Sequence, residues 1–176
     1  MPRLSDILLC VPFLAACARG DAPVAPQEQP HAFLSQASAG MVTRPWKGRC
    51  TGVAAYIDAI TLHIEGTCNI AHLGLATVET TETVVPRQDG LSDLNSVNTY
   101  TAANGDKLYT RGAGIATLKP DFSGVTFSGT ETVVGGTGRF SHASGSATRI
   151  GSTRFSDFNG SYEHVGTLTY DAAHRR

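Results

Sequence analysis

Histidine, paired carboxylates, arginine and cysteine are the side chains of this chain that could do chemistry, and their spacing narrows what that chemistry is. His72 shares even parity with Leu62, Ile64, Cys68, Ile70, Ala76 and Val78. If residues 60–85 form one strand, period-2 alternation aims its imidazole at the apolar face. There it either exchanges a proton with a bound ligand or sits as a buried, hydrogen-bonded histidine. His72 is therefore the candidate catalytic residue. Glu79 and Glu82 are three apart, which places them on opposite faces of a strand and reads as a solvated edge rather than an acid/base pair. Arg139, just after the run Gly135-Gly136-Thr137-Gly138, either pairs with a carboxylate or contacts a ligand. Tyr100 and Tyr109 complete the candidate ligand contacts.

Other chemistries find little support. The glycine run lacks the Lys-Ser/Thr of a phosphate loop and precedes a strand, so it reads as a turn. His142, His164 and His174 have no metal-ligand spacing, and no metal or other cofactor is expected. No serine sits in a nucleophile-elbow motif. A net charge of −1 with scattered Lys and Arg argues against nucleic-acid binding.

The elements that must position these residues are strands. Glycine and threonine are abundant, and Gly, Asn and Asp punctuate the apolar runs. Residues 46–56 and 60–85 read as strands joined by a turn centred on Ala59. In that register residue i pairs with residue 118 − i, so Cys50 faces Cys68, and a disulfide is expected. Residues 97–115 read as a hairpin turning at Asn104-Gly105, a two-residue type I′ turn, with Tyr100 opposite Tyr109. Residues 125–134, 140–148, 153–158 and 161–170 read as further strands. Tyr162, His164, Leu168 and Tyr170 share one parity in the last of them. Strands at this spacing without intervening helices make an all-β antiparallel sandwich or barrel.

The amino terminus carries an address. Arg3, the apolar residues 7–16 and Leu14-Ala15-Ala16-Cys17 resemble a bacterial lipoprotein signal. The run is too short to span a bilayer. The expected organisation is a signal peptide at 1–16, a Pro/Ala/Gln-rich tether at 17–40, a domain at 41–170 and a tail at 171–176. The resemblance implies cleavage before Cys17, lipid on Cys17, and a membrane anchor as the first partner. Ala18 after that cysteine favours the outer membrane.

Three stretches resemble a known group: residues 66–74 (GTCNIAHLG), 101–108 (TAANGDKL), and 135–146, from Gly135 through Arg139-Phe140 to Ser146. Together they are similar to the bacterial exported proteins with an allene-oxide-cyclase-like β-barrel, relatives of the calycins. The resemblance implies an eight-stranded antiparallel barrel with a cavity, filled by side chains or holding one small ligand. No catalytic residue of the plant cyclases maps onto this chain. The expected function is binding of a small apolar ligand or a protein partner by a lipid-anchored barrel. The alternative is an isomerase or cyclase working in the cavity on a lipophilic substrate.

Overall fold

The computed structural model describes residues 40–173. The signal, Cys17 and most of the tether, like His174 and the end of the tail, lie outside the described residues.

Eight strands follow one another: β1 (Met41–Tyr56), β2 (Thr61–Ile70), β3 (Gly74–Pro86), β4 (Leu91–Ala102), β5 (Lys107–Leu118), β6 (Gly124–Gly136), β7 (Ser144–Arg154) and β8 (Asn159–Asp171). Each pairs antiparallel with its sequence neighbour, and β1 pairs with β8, so the sheet closes into an up-and-down barrel with no free edge. The fold is all-β, as the strand spacing predicts. One 3-10 turn, Gly138–Phe140, is the sole helix among the described residues.

The β1–β2 register matches the expected one. Cys50 lies opposite Cys68, and the two form a disulfide. Three other expectations are corrected. Residues 60–85 are two strands, because the chain reverses at residues 71–73, with left-handed backbone at His72 (φ 71°) and Gly74 (φ 75°). Only one glycine marks this turn, which is why alternation carries the eye through it.

The 103–106 hairpin is also one residue out of the expected register. Gly105 has positive φ and Asn104 does not, so the loop has three residues and the Ala102 N–H bonds the Asp106 carbonyl. That is the geometry of a type I turn followed by a left-handed glycine. Tyr100 therefore faces Leu108, and Tyr109 faces Thr99. Finally, residues 140–143 and 155–158 are turns flanking a single β7.

The interior is stacked in layers. At one end Trp46, Ile70, Leu73, Leu108, Phe140, Leu168 and Tyr170 fill the barrel completely. The opposite end, where the turns at 57–60, 87–90, 119–123 and 155–158 meet, is open. Between the two lies a layer of polar side chains.

Candidate functional site

The polar layer is built from one or two inward residues on each of six strands. On β4, Asn98 has Thr80 of β3 and Thr110 of β5 as its cross-strand neighbours. All three point inward and bond in a row. Thr80 Oγ1 donates to Asn98 Oδ1 at 2.8 Å, and Asn98 Nδ2 donates to Thr110 Oγ1 at 2.9 Å. Glu131 of β6 has only Gly112 and Ala147 beside it. These small neighbours leave its carboxylate room to turn toward that row.

Glu131 is fully buried and gathers four donors. Tyr100 Oη donates to Oε1 at 2.7 Å and Asn98 Nδ2 at 3.2 Å, and Thr110 Oγ1 donates a short bond to the same oxygen. His164 Nε2 lies 2.7 Å from Oε2. Burial alone would push this carboxyl up. The hydrogen bond and charge of His164, the Thr110 bond and the charge of Arg149 outweigh it and hold Glu131 below the usual carboxylate range. Because a carboxylate only accepts, Nε2 of His164 carries the proton in that bond. The imidazole is packed between Trp46, stacked at 5.1 Å, and Tyr162, edge-on at 5.2 Å. Burial and the neighbouring Glu131 push the Tyr100 hydroxyl well up, and the same two causes raise Tyr162, so both remain neutral phenols.

Above this cluster, toward the open end, Arg149 of β7 donates from Nη2 to Glu82 Oε2 at 2.6 Å. Both residues are buried. Burial would lower the Arg149 pKa, but the carboxylates of Glu82 and Glu131 raise it overall, so the guanidinium stays charged. Glu82 borders an apolar vestibule of about 320 Å³, walled by residues including Ala54, Ile64, Leu94, Ala116, Phe127 and Phe158. A niche of about 30 Å³ continues below it, bounded by Thr80, Glu82, Arg149 and Tyr162 with Phe127 and Phe158. A void of that size holds about one or two waters, or one polar head group. A guest entering the open end would thus meet Glu82, Arg149 and Tyr162 first, with Glu131 and His164 sealed beneath.

The residues singled out from the sequence fall in several places. His72 is not on the interior face. It sits in the exposed turn between β2 and β3, at the closed end, its ring 6.1 Å from Tyr170. The turn breaks the parity that pointed it inward. Arg139 is also at the closed end, with Nε 3.7 Å from Asp106 Oδ2 and its guanidinium over Phe140. Tyr100 is in the buried cluster, and Tyr109 lies on the outer wall, half-buried. Glu79 is exposed, and Glu82, read as a solvated edge, is buried against Arg149. The two do lie on opposite faces. Cys50 and Cys68 staple β1 to β2 near the filled end.

Sequence reading passes over Glu131, Asn98, Thr110, Thr80 and Arg149, and places His164 on the common parity of the last strand without giving it a role. The available signal was a polar residue on the apolar parity of each strand: Asn98 between Ser96 and Tyr100, Glu131 before Val133, Arg149 after Ala147. Among the described residues no group of three His, Cys, Asp or Glu side chains is placed to hold a metal.

No protein-family model matches the chain, and no curated protein matches it. Among solved structures, the barrel is similar to a pterocarpan synthase dirigent protein, with a TM-score of 0.54 at 13% identity over 78% of this chain and 90% of that one. At that identity the likeness speaks for the barrel fold alone.

Proposed function

We propose that this chain is an exported, lipid-anchored barrel that takes one small, largely apolar ligand into the vestibule at its open end. The vestibule carries this reading: an apolar chamber of about 320 Å³, open on one side, bordered by buried Glu82, whose partner Arg149 lines the adjoining niche. That volume is at the small end of ligand pockets, which run from about 300 to 1,000 Å³. The rim supports entry of an apolar guest, since Tyr56, Ile57, Phe122 and Phe155 are exposed around the mouth. The lipobox at residues 14–17 and the three stretches resembling allene-oxide-cyclase-like exported proteins support the envelope location and the kinship; anchoring would be at Cys17, with the outer membrane favoured.

Native mass spectrometry of the full chain from its host membranes tests both parts. The expected result is a discrete mass lost on denaturation, plus acylation of Cys17. Ala116→Trp, which fills the vestibule, should abolish the first without touching the second. A folded protein with no bound mass, in wild type and variant alike, would overturn the binding reading.

A second reading is an isomerase or cyclase acting in the same vestibule. Its support is that charged and phenolic groups converge on the niche, and that the structural neighbour is by name a synthase. In that reading the groups in reach of a substrate are Glu82, Arg149 and Tyr162, and His72 has no part. Turnover of the bound molecule by wild type, lost in Glu82→Gln with binding retained, would favour it.

A further inference from the structure

We infer that the niche below the vestibule selects a neutral hydroxyl head, so that the ligand is a compact, one- or two-ring apolar alcohol or phenol and not an anionic lipid. This rests on the vestibule being a ligand site and says which chemistry it takes.

The argument starts from size. The niche has room for one polar group, and the vestibule for a compact body.

Hydrogen-bond demand comes next. Arg149 lines the niche and donates from Nη2 to Glu82, while Nε and Nη1 make no side-chain hydrogen bond among the described residues. They are donors in search of an acceptor. Glu82 Oε2 accepts from Arg149, and Oε1 makes no side-chain hydrogen bond among the described residues, which leaves it as an acceptor. Tyr100 donates its proton to Glu131, beneath the niche. Tyr162 also lines the niche, where its hydroxyl can donate to or accept from a guest. A hydroxyl supplies one donor and two acceptor lone pairs on one atom, matching donors on one side and acceptors on the other.

Charge excludes the anion. The interior between the vestibule and the filled end holds two carboxylates, Glu82 and Glu131, against one guanidinium, Arg149, and the imidazole of His164. Even with both protons on His164 the sum is zero. A carboxylate head would enter a desolvated site with no net positive charge to hold it.

The test is isothermal titration calorimetry of the full chain at neutral pH with three probes of one shape: 2-naphthol, naphthalene and 2-naphthoate. The expected result is that 2-naphthol binds at least about tenfold more tightly than either of the others, the value of one or two well-made hydrogen bonds. Naphthoate binding as tightly as naphthol, or more tightly, overturns the inference. Equal affinity for naphthol and naphthalene overturns the head-group niche while leaving the vestibule as a ligand site. No binding by any probe overturns the vestibule reading beneath it. In Glu82→Gln the naphthoate affinity should rise and the gap narrow by about tenfold. An unchanged gap in a folded variant counts against the charge argument, and the wild-type series decides the question if that variant does not fold.

Discussion

Glu131 shows how a charged side chain survives in the middle of a small barrel. Removing a carboxylate from water is expensive, and it persists buried only when donors surround it. Tyr100, Thr110, Asn98 and His164 do so here. Its pKa is lowered in the folded state, so the unfolded chain binds the proton more readily. The stability this contributes is present above the unfolded value of about 4.3 and is lost as pH falls through the lower native value. Glu131→Gln keeps the shape without the charge. It should cost about 1–3 kcal/mol at neutral pH, and the gap to wild type should shrink as pH drops below about 4. Urea melts from pH 7 downward check this; a gap independent of pH would mean Glu131 is not the titrating group. Beside the niche, Glu82→Leu or Arg149→Met alone should destabilise by about 3–5 kcal/mol, and the double variant by much less, because each single change strands a buried charge. Additive losses in that cycle would show the pair uncoupled.

At the scale of elements, the strands hold the site because glycines let them curve. Gly52 and Gly66 face each other across β1 and β2, as do Gly114 and Gly129 across β5 and β6. A Cβ on Gly66 would collide with the Thr51 carbonyl oxygen. Backbone cannot yield as a flexible side chain does, so Gly66→Ala should cost about 1–3 kcal/mol or more, read as a fall in melting temperature. A neutral effect would mean the sheet can relax at this corner. Two residues along the same strand pair, the disulfide joins residues 18 apart in sequence. Closing a loop of that length is worth about 3 kcal/mol in the chain-entropy account. Replacing both cysteines with alanine should lower the urea midpoint accordingly and leave the polar layer intact.

Across the whole molecule, closure and site assembly are one event. β8 carries His164 and Tyr162, pairs with β1 over thirteen residue positions from Met41↔Asp171 to Val53↔Asn159, and thereby brings His164 beside Trp46. Trp46 is the only tryptophan and is fully buried. Its emission and the far-ultraviolet circular dichroism should therefore report a single coincident unfolding transition. Separate transitions would mean the filled end and the open end melt independently. Pairing of the first strand with the last is also non-local, which places folding in the millisecond-to-second range.

The amino-acid order alone determined the all-β architecture, the β1–β2 register and the cysteine pairing that follows from it. These are local properties: alternation, turn residues and the arithmetic of one hairpin. Local signals fail where a turn is weakly marked. A lone glycine at 74 hid the reversal that puts His72 in solvent, and a three-residue loop at Asn104-Gly105 shifted Tyr100 by one position. The site itself could not be read in one dimension. Parity shows that Asn98, Glu131, Arg149 and His164 point inward on their own strands. It does not show that strands 3 to 8 bring them to the same height in one barrel. That depends on how far each strand is staggered against the next around the closed sheet, a property of the whole ring that no single segment carries. Only the tertiary structure decided that one end is filled, that the other is open, and that the charges lie between them.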